Sequence, residues 1–434
     1  MRRKNILMIT YDFPPIGGGG IQRNLKFLKY LSRLGWRTNV LTVKERDYYV
    51  YDSTLLSELS DETVIYRADS IDPLSVSTKI RALFGKFKSN KSLKKETISV
   101  SEDAWYVGLY RTLRNWILLP DGYNGWIPFA TRLGKNIVKE NRPDVIFGSF
   151  PGPSNAFVTY KLAKKNRIPY VLDFRDGWTD DPYTHYPSIF HKKYHSYFER
   201  KIILGAEKIV VYADSLRKIL SDRYPILNDK ITVITNGFDP EDFINLVPKV
   251  RLNNKIRIVY SGAVYVDRRE TYLNFIKAIS SLETIYKERL EIIFVGDKLK
   301  WATDLVISEK LENIISFTGY LTHKEALEYL ISADASLMFL KIGDEINLTG
   351  KIFEYIGVGL PIIACVETNG ACSKLLDSIN HSHGVCNPSN PIEIASKIKL
   401  FLDEGFPKLS ETNIEIFSRK YHSEKLSEIL NEIC

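Results

Sequence analysis

The sequence predicts an α/β protein made of two successive, doubly wound parallel sheets. Three observations support this: short continuous apolar runs, helical spacing of apolar residues between them, and a second start of the same alternation late in the chain. Apolar runs of this kind are typical of strands buried on both faces, and their alternation with helices is typical of parallel sheets. The 434 residues equal about three typical domains, enough for two large ones.

The first strand is predicted at residues 5–10, and a loop with Pro14-Pro15 and four glycines follows it. The next helix is predicted at 21–34, ended by Gly35, with a second strand at 38–43. The alternation continues to about residue 237. We therefore expect a first Rossmann-like domain at 1–245, interrupted by an irregular basic and aromatic insert at 47–122.

A polar segment at 239–254 lacks periodicity and is interpreted as a linker between domains. The alternation starts again with a strand at 255–260 and continues beyond residue 400. We expect a second Rossmann-like domain at 246–415. The remaining segment, 416–434, has the spacing of one more helix with no strand after it, so it is expected to pack back on the first domain.

Composition narrows the possible functions. There are 60 basic and 52 acidic residues, and this moderate excess suits an anionic substrate or an anionic membrane surface. No nucleic-acid-binding motif occurs, so nucleic acid is not an expected partner. The four cysteines form no CxxC pair and no run of about 20 apolar residues occurs, which favours a cytoplasmic protein.

In doubly wound folds, ligands bind at the carboxyl ends of the strands. The loops that follow the predicted strands are therefore the places where ligand-binding residues are expected. The loop after the first strand contains Gly17, Gly18, Gly19 and Gly20 just before a helix. Glycines let the backbone approach a ligand, and the helix start offers N–H groups to an anion or another oxygen-rich ligand. The spacing fits neither a dinucleotide fingerprint nor a P-loop.

The second loop, 173–178, follows a predicted buried strand and contains Asp173, Arg175 and Asp176. Three charges directly after a buried strand are hard to explain by packing alone. We predict that Asp173 or Asp176 binds a hydroxylated substrate or acts as a base. The alternative is that Arg175 holds the two aspartates in a salt bridge.

The third loop joins Gly262, at the end of a strand, to Arg268 and Arg269. Small residues leave room for a ligand, and arginine binds phosphate through paired hydrogen bonds. A phosphate site is predicted here, with solvated surface charge as the alternative.

The fourth loop gives the strongest signal, with Thr349, Gly350, Lys351 and Glu354 at the start of a predicted helix. Thr349 and Gly350 are expected to cap the helix, whose free N–H groups favour an anion. Lys351 in the first turn opposes the helix dipole, and a bound anion would offset that cost. Glu354 can accept two neighbouring hydroxyls of a ribose. A simple Lys351–Glu354 surface pair is the alternative.

Taken together, these motifs resemble glycosyltransferase family 4 over nearly the whole chain. The most specific parts are the glycine-rich loop, the segments 173–178 and 236–239, and the segment 350–361. The resemblance implies the GT-B fold, in which two Rossmann-like domains face each other across a cleft. It also implies a nucleotide-sugar donor held mainly by the second domain, at Gly262, Arg268, Arg269, Thr349, Gly350, Lys351 and Glu354.

The chain departs from the family pattern at three places. The family's two-glutamate motif places its second glutamate at Glu354, whereas Ile346 stands where the first would be. Ala263 stands at the family's diphosphate-binding arginine and Arg269 at its lysine, so Lys351 is expected to supply the missing charge. Residues 147–150 lack the usual histidine of the first domain, whose role Asp173 or Asp176 is expected to share.

The predicted activity is retaining transfer of a hexosyl or N-acetylhexosaminyl group from a nucleoside diphosphate sugar. The acceptor is expected to be a glycan or lipid-linked glycan of a bacterial-type cell surface, with Gly17–Gly20 on the acceptor side. No metal or other cofactor is expected, although His191 and His195 have helical spacing that could hold one. A sugar-nucleotide epimerase and a non-catalytic partner subunit remain alternatives.

The insert also suggests contact with a membrane. Residues 79–95 contain seven Lys or Arg and no acid, with apolar residues spaced along one helical face. Such a pattern is typical of a segment that docks on anionic lipid. A peripheral position on the inner face of the membrane is therefore a further expectation, with a solvated loop as the alternative.

Overall fold

The computed structural model describes residues 2–17, 19–44, 51–71, 118–150, 152–179, 186–409 and 414–434. The chain forms two compact units, one of Met1–Ile234 with Glu424–Cys434 and one of Thr235–Ser423. Most of the predicted insert, including 79–95, lies outside the described residues. Each unit contains one parallel sheet with helices in the connections, as predicted.

The first unit contains a seven-stranded sheet among its described residues. Its strands are β1 Asn5–Ile9, β2 Arg37–Val43, β3 Val64–Ala68, β4 Val145–Phe150, β5 Tyr170–Phe174, β6 Lys208–Val211 and β7 Ile231–Val233. The helices are α1 Gly19–Arg33, α2 Ile127–Glu140, α3 Pro153–Asn166, α4 Ile189–Leu204 and α5 Asp214–Arg223. The strand order is β3-β2-β1-β4-β5-β6-β7, so the winding reverses between β1 and β4.

In its described residues, the second unit repeats this arrangement with a six-stranded sheet. Its strands are β8 Ile256–Ser261, β9 Leu290–Val295, β10 Ile315–Gly319, β11 Ala335–Phe339, β12 Ile362–Cys365 and β13 Val385–Cys386. The helices are α6 Arg269–Ser280, α7 Thr284–Glu288, α8 Lys300–Ser308, α9 His323–Ile331, α10 Gly350–Val358, α11 Ala371–Ser378 and α12 Pro391–Glu404. The order β10-β9-β8-β11-β12-β13 reverses between β8 and β11.

Burial explains the apolar runs. Every residue of β1, β4, β5 and β11 is buried, because helices cover both faces of each sheet. A strand in that position cannot alternate between polar and apolar residues. The carboxyl ends of these central strands are therefore the places where polar residues emerge from the core.

The first unit ends at Ile234, before the predicted boundary at 245. The polar segment 239–254 is not a linker, since it belongs to the second unit. Arg251 pairs with Asp334 at 2.9 Å and Lys249 pairs with Glu328 at 2.8 Å, which hold the segment against that unit. Its polar composition reflects these ion pairs.

The last helix, α13 Arg419–Ile433, begins in the second unit, and its residues from Glu424 onward belong to the first. Leu426, Ile429 and Leu430 lie in the core that surrounds β1 and β4. Ser427 also accepts a hydrogen bond of 2.9 Å from the Trp36 indole. The helix thereby covers apolar surface of the first unit.

Across the described ranges, no helix combines the length and apolar character that spanning a membrane requires.

Candidate donor and acceptor sites

The predicted donor residues follow the two strands that flank the reversal point of the second sheet. Gly262 comes directly after β8, and the loop after β11 leads to Gly350, the first residue of α10. Neighbouring parallel strands end at the same edge of a sheet, so the two loops lie side by side. The fold thus brings together residues almost 90 positions apart in the sequence.

Gly262 and Lys351 are in direct contact. Gly262 has a φ of +105°, and a Cβ atom built there would collide with Lys351 Nζ. The Lys351 Nζ atom is buried and has no hydrogen-bond partner among the described residues, and it lies 4.6 Å from the centre of the Tyr260 ring. An ammonium without a partner in such a place is a strong indication of an anion site.

Arg268 is close to the same tyrosine. Its Nη1 donates to the Tyr260 hydroxyl at 3.4 Å, and its buried Nε has no partner within the described part of the chain. Arg269, the other predicted arginine, is exposed and lies over the Trp301 ring at 5.5 Å. The structure therefore groups Arg268, rather than Arg269, with Lys351 around Tyr260.

Helix α10 is fixed in place by a residue that the sequence analysis did not select. The Tyr355 side chain is fully buried, accepts a hydrogen bond from Ser261 N at 3.0 Å and donates one to Leu337 O at 3.0 Å. It links α10 to β8 and β11, and thereby to the strand that ends at Gly262. Burial raises the pKa of Tyr355 far above its ordinary value, which keeps the hydroxyl available as a donor.

The start of α10 has N–H groups without a side-chain cap. Thr349 occupies the N-cap position, as predicted, but its side chain accepts no hydrogen bond from the helix. Glu354 lies one turn after Gly350 and is half-buried. The uncapped start next to Lys351 is suited to oxygen atoms of a ligand.

Two further glycines allow close packing around the site. A Cβ at Gly296, after β9, would collide with the Gly262 backbone, and one at Gly357, in α10, would collide with the Phe238 ring. Phe238 belongs to the segment 236–239 that supported the family resemblance. Two motifs far apart in the sequence therefore contact each other in the second unit.

In the first unit, Asp173 is a buried partner of Arg23. Arg23 Nη2 lies 2.7 Å from Asp173 Oδ1, and Arg23 Nε lies 3.0 Å from Asp173 Oδ2. Ser149 donates a further bond to Asp173 at 3.3 Å, and neither Asp173 nor Arg23 is more than 1% exposed. The buried partner of Asp173 is thus Arg23, from α1, rather than Arg175.

Arg175 instead binds backbone carbonyls. It donates to Phe150 O and Gly20 O, which joins the end of β4 to the glycine-rich loop. Burial lowers the pKa of Arg175, while the nearby Asp173 and Asp176 raise it. Asp176 is exposed, so it is the aspartate of this segment that a ligand can reach.

In the glycine-rich loop, Gly17 is half-buried, and Gly18 lies outside the described residues. Gly19 is the first residue of α1, and Gly20 is exposed with its carbonyl bound to Arg175. The hydrogen bond from Arg175 thereby holds the backbone of Gly20 in place. The role of the four glycines as an acceptor or phosphate loop stays a prediction.

Asp12 is a candidate that the sequence analysis missed, although it lies three residues after the end of β1, in a loop already selected. No described residue hydrogen-bonds its carboxylate. Burial raises the pKa of Asp12, Arg175 opposes that shift and Asp121 adds to it. Asp121 itself accepts bonds from Ser154 N at 2.7 Å and Tyr123 N at 2.8 Å, which gives it a structural role at the start of α3.

The two histidines considered as metal ligands form protein hydrogen bonds. Trp178 Nε1 donates to His195 Nδ1 at 2.9 Å, and His191 Nδ1 lies 2.8 Å from Ser188 Oγ. Burial lowers the pKa of His195 to about 4, and a neutral ring is what an acceptor of the Trp178 bond requires. These contacts support a structural role for the pair.

Comparison with known proteins gives a family match over part of the chain and the fold of the whole chain. Residues 94–242 match the model of Glycosyltransferase Family 4. Among curated proteins, none matches the sequence.

Solved structures of low identity share the fold over the whole chain. A glycosyltransferase from Rickettsia africae is 18% identical with a TM-score of 0.65, covering 100% of this chain and 99% of its own. The pneumococcal O-GlcNAc transferase, in complex with UDP and GlcNAc, is 10% identical with a TM-score of 0.62, covering 100% and 99%. A protein provisionally assigned as a UDP-N-acetylglucosamine 2-epimerase, from Listeria monocytogenes, is 9% identical with a TM-score of 0.58, covering 99% and 96%.

At such identities the structural likeness shows the fold, which is the GT-B fold that the motifs implied. The family match spans the second half of the first unit, where the segment 173–178 lies. The segment 94–242 is thus similar to glycosyltransferase family 4, and the chain as a whole shares the GT-B fold.

Proposed function

We propose that the protein is a retaining glycosyltransferase that uses a nucleoside diphosphate sugar and extends a glycan or lipid-linked glycan. The single observation that supports this most is the buried Lys351 ammonium without a hydrogen-bond partner, beside Gly262 and the uncapped start of α10. A diphosphate supplies the oxygen atoms that this ammonium lacks. The expected pathway is synthesis of a bacterial-type cell-surface polysaccharide.

The donor roles follow from charge and position. Lys351, Arg268 and the first N–H groups of α10 would bind the diphosphate, and Gly262 leaves room for it. Glu354, one turn along α10, would accept the two ribose hydroxyls. Because two cations and a helix start can neutralise a diphosphate, we propose that the reaction needs no metal.

The acceptor is assigned to the first unit. Asp176 is exposed, and the Asp12 carboxylate has no hydrogen-bond partner among the described residues. Both carboxylates can therefore accept a hydrogen bond from a hydroxyl group of the acceptor. Asp173 is better explained as the partner of Arg23, which holds α1 against β5. The glycine-rich loop beside Arg175 would shape the acceptor side.

Donor hydrolysis with a panel of nucleoside diphosphate sugars tests the proposal. Without an acceptor, a transferase slowly releases nucleoside diphosphate. A sugar-nucleotide epimerase instead changes the configuration of the sugar and leaves its bond to the diphosphate intact. A non-catalytic subunit does neither. The Lys351→Ala protein is the matched variant, and release that is equally fast in both proteins would contradict the role of Lys351 in donor binding.

We also propose a cytoplasmic location with docking on the inner face of a membrane. The basic segment 79–95 supports this by its composition and lies outside the described residues. Replacement of Lys86, Lys88, Lys91, Lys94 and Lys95 by Gln should weaken sedimentation with anionic vesicles. Unchanged sedimentation would exclude the segment as the docking element.

A further inference from the structure

The exposed face of α4 has a composition that is unusual for a surface in water. It consists of Ile189, Phe190, Lys192, Lys193, Tyr197, Arg200, Lys201 and Leu204, and we name these residues the α4 surface. Ile189 is 74% exposed, Phe190 61% and Tyr197 60%. Single exposed apolar residues are common, but several on one helix face indicate a contact surface.

The arrangement along the helix is amphipathic. At about 100° per residue, all members of the α4 surface except Lys192 fall within about 120° of the helix circumference. The opposite face holds His191, His195 and Glu199, which are buried in the first unit. The helix is thus anchored on one side and exposes apolar and basic residues on the other.

The charge of this region has one sign. Helices α3 and α4 contain a single acidic residue, Glu199, which is 1% exposed and pairs with Arg223. The helices pack together through Phe157 and Phe198, whose ring centres lie 4.8 Å apart. Lys161, Lys164 and Lys165 of α3 are also exposed, so the α4 surface lies beside further positive charge.

Basic and aromatic residues also contact each other directly. Lys201 Nζ lies 5.7 Å from the Tyr197 ring centre and 5.9 Å from the Tyr160 ring centre. Tyrosine favours the headgroup zone of a bilayer, phenylalanine and isoleucine insert towards the acyl chains, and lysine or arginine beside them meets lipid phosphate. An acidic protein partner is the alternative occupant of this surface, and the vesicle experiment below distinguishes it from a bilayer.

We propose that the α4 surface docks on an anionic phospholipid bilayer, with Ile189, Phe190 and Tyr197 inserted among the headgroups and the four cations against lipid phosphates. The inference does not depend on the glycosyltransferase reaction. It is also separate from the segment 79–95, because its residues belong to a described and well-anchored helix. The two surfaces can be tested in the same assay by independent variants.

The test is sedimentation of the full-length protein with phosphatidylcholine vesicles, with or without phosphatidylglycerol, at low and high salt. The wild-type protein should pellet with the phosphatidylglycerol vesicles at low salt and be released as salt rises. Lys192→Gln, Lys193→Gln, Arg200→Gln and Lys201→Gln together should lower the partition coefficient at least about tenfold. Ile189→Ser with Phe190→Ser should lower it severalfold while leaving the charge unchanged.

The matched control removes four exposed cations from other helices of the same unit: Arg132 and Lys139 of α2, and Arg217 and Lys218 of α5. This variant has the same net charge as the α4 charge variant and should still pellet. Equal losses in the two charge variants would mean attraction by net charge alone and would overturn the proposal. So would an apolar variant that binds like wild type, or a wild type that never pellets.

Discussion

Lys351 Nζ occupies the space that a side chain at residue 262 would fill, so the lysine and the glycine form a single structural unit. Gly262 provides the positive φ and the free volume, and Lys351 places a charge without a hydrogen-bond partner in it. Neither residue alone would make an anion site. Tyr355 keeps them together by linking α10 to β8.

Gly262→Ala should weaken nucleoside diphosphate binding strongly, because the new methyl group displaces Lys351 and strains a φ of +105°. Gly343→Ala is the matched control, since Gly343 also has a positive φ, +78°, but open space around it. Calorimetry with nucleoside diphosphates should show at least a tenfold larger loss for Gly262→Ala. Similar losses would mean that backbone strain alone explains the effect.

Lys351→Ala and Arg268→Ala should each weaken nucleoside diphosphate binding more than binding of the free nucleoside. A charge-assisted hydrogen bond contributes about 1.5–3 kcal/mol, which corresponds to at least tenfold in affinity. Arg269→Ala removes an equal charge from the position over Trp301 and should have a smaller effect. Equal losses for diphosphate and nucleoside would contradict the diphosphate assignment.

Glu354→Gln keeps the shape of the side chain but removes its charge. If Glu354 binds the ribose hydroxyls, hydrolysis or transfer should fall at least about tenfold while the melting temperature stays unchanged. The measurement is the initial rate of hydrolysis or transfer, once at a saturating and once at a low donor concentration. Full activity in a normally folded variant would rule out the ribose role.

Replacement of Asp173 should lower stability, whereas replacement of Asp12 or Asp176 should lower turnover. Asp173→Asn leaves the buried Arg23 without its counter-charge, which should cost about 3–5 kcal/mol of unfolding free energy. Asp176→Asn and Asp12→Asn should lower turnover and leave donor affinity nearly unchanged. Denaturant unfolding and steady-state kinetics on the three variants separate these effects, and a stable but inactive Asp173→Asn protein would favour a catalytic Asp173.

Stability should fall on acidification through His195. Burial depresses the folded-state pKa of His195 to about 4, whereas an unfolded histidine titrates near about 6.5. The stabilising contribution is therefore present above about pH 6.5 and is lost as the pH falls towards 4, by about 1–2 kcal/mol at pH 5. His195→Gln still accepts the Trp178 bond and should flatten this dependence, and an unchanged slope of unfolding free energy against pH would contradict it.

The sequence alone determined the fold class and the order of the elements. Strands buried on both faces must be continuous apolar runs, and the alternation of such runs with amphipathic helices permits few arrangements other than parallel sheets. The loops at the strand ends were also visible, because charges or glycines directly after a buried strand have few structural explanations. Lys351 could be selected because a lysine in the first turn of a predicted helix opposes the helix dipole.

Only the tertiary structure decided which residues meet. Asp173 and Arg175 are two residues apart in the chain, yet the partner of Asp173 is Arg23. Asp173 belongs to β5 and contacts α1, whereas Arg175 follows the end of the strand and donates to the Phe150 and Gly20 carbonyls. Arg268 and Arg269 are neighbours, yet one reaches Tyr260 and the other Trp301. Which side chains meet depends on their direction and on packing between elements that are distant in the sequence. The pattern of residues along the sequence contains neither kind of information.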